Sequence, residues 1–139
     1  MDVELHVVAE HPHAEILLHA VVLTQTQQHA RMKAQVSLQA DNCRANMHLV
    51  SFLVDQGSAE VDGSVTIAPN TMGCSGHLLE ENIILGEKTR IKTLPMLDVR
   101  SSDVSASHGA KIQQLNPQHL FYLTAKGIPA TEATRLMIE

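Results

Sequence analysis

The residue best suited to chemistry in this chain is a single histidine at a structural corner. The segment Val104–Ala110 reads Val-Ser-Ala-Ser-His-Gly-Ala and places His108 between a strand-like run and a well-signalled helix. Imidazole is a common metal ligand, so His108 is a candidate for metal or interface chemistry. If strand alternation continues, His108 shares a face with Val104 and Ala106, and a buried core histidine is the competing interpretation. A bulge at Gly109 would turn the ring outward.

A second candidate is the pair of histidines in His11-Pro12-His13, which places two imidazoles on the same side of an extended segment. This geometry begins the metal site of a cupin-like protein, but further ligands would have to come from elsewhere in the chain. No spacing selects a set among the other available histidines, which are His19, His29, His48 and His77. The favoured interpretation is a turn with solvated histidines.

The cysteines and the paired carboxylates give weaker signals. Cys43 lies beside Arg44, Cys74 lies in a Gly-Cys-Ser-Gly loop, and their wide separation predicts neither a metal knuckle nor a disulfide framework. Neither cysteine has a base nearby in sequence, which favours unreactive surface or edge residues. Glu80 and Glu81 would point to opposite faces of a strand, which indicates solvated surface rather than an acid/base dyad.

Strands must position most of these side chains. Apolar residues alternate with polar ones from Asp2 to about Gln114, and no helical stripe precedes residue 115. The pattern predicts a mainly β fold, but it does not separate an antiparallel sandwich or jelly roll from a parallel β-helix. Three segments with this alternation are Val3 to Val7, Ala34 to Ala40, and Val61 to Ile67.

The pattern changes after Leu115 and becomes helical. Asn116 is a good N-cap, Pro117 suits a first helical position and Gly127 suits a helix end, so residues 117–126 are predicted to be helix. We therefore divide the chain into a β core, residues 1–115, and a C-terminal helical subdomain, residues 116–139.

A second helix is predicted from near Ala130, because Ala133, Leu136 and Met137 follow helical spacing. This amphipathic pattern reaches Glu139 without a capping glycine or a polar tail. It predicts that the native chain continues and that the helical subdomain is truncated.

Composition excludes several classes of function. The 139 residues carry a net charge of −5, which disfavours nucleic acid and anionic membranes as partners. The acidic start and the short apolar runs predict neither a signal peptide nor a membrane span, and the sparse cysteines favour the cytoplasm. No glycine-rich phosphate loop is present, so we expect no nucleotide site in this chain.

Taken in order, several segments resemble the C-terminal signature of the SufB/SufD family, the scaffold proteins of the SUF iron–sulfur cluster assembly system. Ser-His-Gly-Ala around His108 precedes Phe-Tyr-Leu at 121–123 and Lys-Gly-Ile at 126–128, where the family has Arg-Gly-Ile. The segments 59–67, 82–86 and 93–99 resemble upstream family strands. The resemblance is good from about residue 57 and loose before it.

The resemblance implies a right-handed parallel β-helix followed by a short α-helical segment that docks a SufC-like ABC ATPase. In that family two β-helices associate through their terminal turns, so it implies a SufB- or SufD-type subunit as partner, in a homodimer or a heterodimer. His108 aligns with a histidine implicated in cluster chemistry, which implies a transient iron–sulfur cluster or iron at the interface. Phe121, Tyr122, Leu136 and Met137 are the implied partner-binding residues.

Two departures from the family pattern bear on cluster ligation. The SufD-like form has a cysteine where this chain has Ala106, and the SufB-like form has a cluster-linked cysteine where this chain reads Glu80-Glu81. The Ser-His-Gly-Ala form is nearer to SufD than to SufB. Thiolates are the main ligands of iron–sulfur clusters, so this chain is expected to act as a scaffold that need not ligate a cluster itself.

The leading hypothesis is therefore a non-enzymatic scaffold or accessory subunit of SUF iron–sulfur cluster assembly. One alternative is a cupin-like histidine-metal enzyme that uses His11 and His13. The other is a β-solenoid interaction module that dimerises through its end turns and has lost cluster chemistry, as Ala106 would allow.

Overall fold

The computed structural model describes the backbone of residues 1–138 and the side chains of residues 1–137. Glu139, the last residue of the predicted helical subdomain, lies outside the described residues. The described chain forms strands and then helices, in the order β1 (Asp2–Ala9), β2 (Glu15–Thr24), β3 (His29–Leu38), β4 (Arg44–Leu53), β5 (Ser58–Ile67), β6 (Cys74–Ile84), β7 (Arg90–Thr93), β8 (Met96–Val99), β9 (Val104–Gln114), α1 (Pro117–Ala125) and α2 (Ala130–Ile138).

The strands form two parallel sheets that wind as a solenoid of about four turns. Sheet A contains β1, β3, β5, β7 and β8, and sheet B contains β2, β4, β6 and β9. Asp2 pairs with Arg31 and Arg31 with Glu60, so one early turn takes 29 residues. The predicted parallel β-helix is confirmed. Because every strand pairing in the described chain is parallel, the antiparallel jelly roll and the cupin-like barrel are wrong.

Alternation within each strand builds the core. Inward positions of the two sheets carry small or branched aliphatic residues that stack from turn to turn, as in Ala34 above Leu5 and Leu49 above Ala20. Such side chains fill a narrow interior without needing polar partners. The fully buried aliphatic residues include Ala34, Leu38, Ala45, Leu49, Leu53, Val61, Val65 and Ile67.

The outer faces of the two sheets differ in chemistry. Sheet A is mostly polar outside and carries ion pairs between neighbouring turns, Lys33 to Glu4 at 3.2 Å and Arg31 to Glu60 at 2.8 Å. Sheet B carries exposed Leu17, Val21 and Leu23 on the outside of β2, beside a series of histidines.

Tight corners connect the two sheets. His13, Asn42 and Gly73 occupy equivalent corners with φ of 64°, 57° and 66°, the left-handed region that favours Gly and Asn. Just after two of these corners, Cys43 donates to the carbonyl of His11 at 3.2 Å, and Cys74 donates to the carbonyl of residue 40 at 3.1 Å. Both thiols are free and buried, so the prediction of surface or edge cysteines was wrong.

The helices begin and end where the sequence predicts. The Asn116 side chain accepts a hydrogen bond from the Gln118 amide at 2.8 Å, and Gly127 follows α1 with φ of 88°. The two helices pack together and bury Ala133. No helix within residues 1–138 is long and apolar enough to cross a membrane.

Candidate functional site

The last turn of the solenoid, formed by β7, β8 and β9, presents its inward side chains to solvent. Val99 and Ile112 are 40% and 55% exposed, whereas Ile67 and Asn82, their partners one turn earlier, are buried. The difference arises because no further turn of the described chain covers them. We call this surface the open face and define it by Ile91, Thr93, Leu97, Val99, Val104, Ala106, His108, Ala110 and Ile112.

His108 lies in the middle of β9 and is exposed on the open face. β9 pairs with β6 without interruption from Val104 to Gln114, so the strand does not bulge at Gly109. The imidazole has the predicted inward direction, but it is not a buried core histidine, since no turn of the described chain covers it.

The hydrogen bond of His108 determines which ring nitrogen is available. Nδ1 lies 3.1 Å from the carbonyl oxygen of Pro95, which links β7 to β8 on the opposite sheet. Because a carbonyl oxygen can only accept, Nδ1 carries the hydrogen and the lone pair of the neutral ring is on Nε2. Metal-binding histidines commonly use this arrangement, in which a backbone carbonyl orients the ring and the second nitrogen binds.

A buried carboxylate lies one turn beneath the open face. Glu80 pairs with Ala110, is fully buried, accepts a hydrogen bond from the Gly63 amide at 2.6 Å and accepts a second from the Thr93 hydroxyl. Burial raises the pKa of Glu80 above its ordinary value, although the two hydrogen bonds and the positive charge of a protonated His108 oppose the shift. Glu80 and Glu81 do point to opposite faces, but only Glu81 lies on the outer surface, so the prediction of solvated surface was wrong for Glu80.

A second polar pair is buried in the same region of the interior. Ser51 donates to Oδ1 of Asn82 at 2.6 Å, while Asn82 Nδ2 has no hydrogen-bond partner among the described residues. An unpaired buried amide is costly, and native proteins contain few of them. Glu80 and Asn82 are thus both buried on β6, the strand that lies directly beneath β9.

Thiolates are remote from His108. Cys74 pairs with Val104, four residues before His108 along β9, which places the two sites about 13 Å apart at the rise of an extended strand. Cys43 lies one turn further away. In the described part of the chain, no group of three or more His, Cys, Asp or Glu side chains is arranged to hold a metal. The donors near the open face are thus an imidazole and oxygen atoms, without sulfur.

The predicted partner-binding residues lie on the helices. Phe121, Tyr122 and Leu136 are 74%, 61% and 47% exposed, and Met137 is half-buried. The Lys126 ammonium lies 5.5 Å from the centre of the Tyr122 ring. Large exposed apolar side chains of this kind commonly mark interaction surfaces.

The structure does not join the His11 and His13 pair to His108. Both side chains are exposed, and they lie at the corner between β1 and β2, in the first turn. The favoured interpretation of a turn with exposed histidines agrees with this placement.

Comparison with known families identifies the fold. The family described as "SUF system FeS cluster assembly, SufBD core domain" matches residues 1–139. The chain belongs to the SufBD core domain family. The resemblance found around His108 and the helix that follows is therefore confirmed, and it extends over the earlier turns, where the sequence match is loose.

Individual SufBD relatives support the same placement. The chain is 26% identical over 96 residues to the iron–sulfur cluster assembly protein SufD of Escherichia coli, covering 69% of this chain and 23% of that protein. It is 32% identical over 96 residues to a SufBD family protein of Synechocystis, covering 68% and 21%. SufD of Bacillus subtilis is 41% identical over 56 residues, 40% of this chain and 13% of that protein. The chain thus spans about a quarter or less of the length of these relatives. The two relatives that are named SufD modestly support the predicted nearness to SufD.

Three residues around the SufBD open face were missed at the sequence level. Glu80 was assigned to the surface, and neither Thr93 nor Pro95 was linked to His108. Pro95 did carry a usable signal, because proline lacks an amide hydrogen and occurs within sheets mainly on edge strands. Its position inside an alternating segment could have located the edge of sheet A.

Proposed function

We propose that this chain is part of a non-enzymatic scaffold subunit for iron–sulfur cluster assembly in the cytoplasm. The observation that carries the proposal is an exposed histidine on the open face of a SufBD core domain, with its Nδ1 bonded to a carbonyl and its Nε2 lone pair available. Such a group can bind a metal ion and release it without a chemical step of its own. The names of the SufD relatives, which are assembly proteins, agree with this role.

The open face is proposed to bind a second SufB- or SufD-type subunit, as a homodimer or a heterodimer. Its aliphatic side chains would be covered by an equivalent turn of the partner. The terminal strands β7, β8 and β9 are also edge strands in the described structure, and their unpaired backbone groups can extend a sheet. This surface therefore combines apolar area with backbone hydrogen-bonding capacity.

The cargo at this interface is proposed to be iron or an iron–sulfur cluster, bound transiently through Nε2 of His108. Histidine can replace a thiolate in cluster ligation, but it rarely acts alone. Since the nearest cysteine of this chain is about 13 Å from His108 along β9, the remaining ligands would come from the partner subunit. This division of ligands favours a cysteine-bearing partner.

The helical segment is proposed to dock a SufC-like ABC ATPase, which would supply the ATP dependence. The exposed aromatic pair on α1 and the apolar residues Leu136 and Met137 on α2 are the contact residues. Calorimetric titration of the chain with this ATPase tests the assignment. Saturable binding that is lost in Leu136→Asp supports it.

A matched variant separates a local effect from a general one. Met72→Asp introduces the same charge at an exposed apolar side chain in the turn before β6, far along the fold from α2. We expect Met72→Asp to bind like the wild type. No binding by the folded wild-type chain, or equal binding by Leu136→Asp, contradicts the ATPase assignment.

The remaining alternative, an interaction module without cluster chemistry, makes a different prediction for His108. It is favoured by one observation, the absence of thiolates near the open face. In the full-length protein, His108→Ala should abolish iron retention by the subunit pair if His108 binds the cargo. Full cluster-assembly activity with His108→Ala would favour the interaction module.

A further inference from the structure

Two histidines face each other on the outer surface of sheet B. His19 on β2 and His48 on β4 are directly paired in the parallel register, and both side chains point away from the core. They line an open groove of about 480 Å³ together with His77 of β6. Ser107, His108 and Gly109 of β9 line the same groove, but the His108 imidazole points to the inward side of sheet B, whereas the imidazoles of His19 and His48 point outward.

The separation of the two rings is close to that of two ligands on one metal ion. The ring centres of His19 and His48 are 5.6 Å apart, and the rings are almost perpendicular at 80°, so they do not stack. Imidazole nitrogens bind divalent transition metals at about 2.0–2.1 Å, which places two ring centres on one tetrahedral ion about 5 Å apart. Metal binding would bring the two ring centres slightly closer and turn one nitrogen of each ring toward the ion.

A carboxylate orients one member of the pair. Nε2 of His48 lies 2.7 Å from Oε2 of Glu81, and Lys111 lies 3.3 Å from the other oxygen. A carboxylate accepts the hydrogen from Nε2, so the Nδ1 lone pair of the neutral His48 ring is available. The hydrogen bond from His48 also holds the pKa of Glu81 below its ordinary value, which keeps the orienting group ionised. Carboxylate-supported histidines of this kind are typical of metal sites.

We propose that His19 and His48 form a binding site for a divalent transition-metal ion on the outer face of sheet B, with Glu81 orienting His48. Two protein ligands leave the other coordination positions to water, so the site is exchangeable rather than structural. The donors are imidazole nitrogens, which suit zinc, cobalt, nickel and iron(II) better than calcium or magnesium. The proposal is independent of the cargo proposed for His108.

Titration of the full chain with Co²⁺ tests this site. We expect the wild-type protein to bind one equivalent of Co²⁺ in the strongest phase. Binding is measured by calorimetry and visible absorption in thiol-free buffer. His19→Gln and His48→Gln should each lower the affinity of that phase about a hundredfold, because the remaining histidine binds without the chelate effect. Glu81→Gln should lower it about tenfold, since it loses only the orienting charge.

Two controls make the outcome decisive in a chain with nine histidines. His29 is an exposed histidine of sheet A that hydrogen-bonds Ser58 on the next turn at 3.0 Å, so His29→Gln should leave Co²⁺ affinity unchanged. His11→Gln, at the exposed corner between β1 and β2, should also leave it unchanged. Equal losses in His29→Gln, or no loss in His19→Gln and His48→Gln, would overturn the proposal and indicate adventitious binding only.

Discussion

The inner turns and the last turn of this solenoid use the same strand pattern with opposite results. In β4 and β5, inward residues such as Leu49 and Val65 are fully buried because a turn lies on each side of them. In β8 and β9, the inward Val99 and Ile112 are exposed. Alternation in a sequence therefore specifies which face of a strand is apolar, whereas the neighbouring turn decides whether that face is buried.

The two regions also differ in what lies inside them. The earlier turns contain mainly stacked aliphatic side chains, with Thr24 and Ser51 as buried polar residues, while β6, beneath the last turn, buries both Glu80 and Asn82. A buried carboxylate and an unpaired amide oppose stability in an isolated chain. Glu80 and Asn82 pair with Ala110 and Ile112 of β9, so both lie directly beneath the strand that carries the exposed His108.

The largest difference in stability between the two regions is expected when an apolar side chain is removed from each. Leu49→Ala should lower the free energy of unfolding by about 2–5 kcal/mol, because it leaves a cavity in a closed core. Ile112→Ala should change it by less than about 1 kcal/mol, since the side chain is already half in water. Urea unfolding of both variants measures the contrast, and similar losses would mean that the last turn is covered in the monomer.

A smaller difference in stability is expected between substitutions of two glycines, Gly63 in an inner turn and Gly109 in the last turn. A methyl group at Gly63 would lie 2.7 Å from Oε1 of Glu80 and 2.8 Å from Cδ1 of Leu78, so Gly63→Ala should cost about 1–3 kcal/mol. At Gly109 the nearest atom, Cδ1 of Leu79, is 3.9 Å away, and Gly109→Ala should fall within about 0.5 kcal/mol of the wild type. Thermal unfolding of the two variants measures this difference. An unchanged stability of Gly63→Ala would show that the surroundings of Glu80 are loosely packed.

The smallest expected effect concerns pH. Because burial raises the pKa of Glu80 in the folded state, the native protein holds a proton that the unfolded chain releases above about pH 4.5. Stability should therefore fall as pH rises from the unfolded pKa through the folded pKa, and Glu80→Gln should remove this fall. The effect is modest because hydrogen bonds from Gly63 and Thr93 offset the cost of burial.

Glu81 supplies a control, because its effect on the pH dependence of stability has the opposite sign to that of Glu80. The hydrogen bond from His48 lowers the pKa of Glu81, so Glu81 contributes stability above its unfolded pKa that is lost as pH falls through the folded value. Glu81→Gln should weaken the acid-side loss and leave the fall above pH 4.5 in place. Urea unfolding across pH measures both slopes, and an unchanged profile in Glu80→Gln would contradict the assigned environment of Glu80.

Much of the fold could be predicted from local signals. Period-two alternation predicted the strands, and Asn116, Pro117 and Gly127 predicted α1, because each of these residues acts within one turn of backbone. The corner containing Gln27 was missed: its φ of 61° is unusual for glutamine and has no local signal. Parallel pairing depends on contacts about 30 residues apart, so periodicity alone left it open and the resemblance to SufB and SufD supplied it.

The candidate site was predicted less completely, for the same reason. The inward direction of His108 followed from alternation, and its exposure depends on the turn that is absent above it in the described chain. The burial of Glu80 depends on Thr93 and Gly63, which come from β7 and β5, so no single segment reveals it. The pairing of His19 with His48 likewise requires the register of two parallel strands.

The open face of this SufBD core domain is proposed to be its subunit interface. Sedimentation velocity of the chain, alone and mixed with a SufB-type subunit from the same organism, tests it most directly. We predict a dimer in at least one of these samples that is lost in Ile112→Asp and kept in Val21→Asp, which places the same charge at an exposed apolar side chain on the outer face of β2. Monomers in both samples, or a dimer unaffected by Ile112→Asp, would contradict the claim.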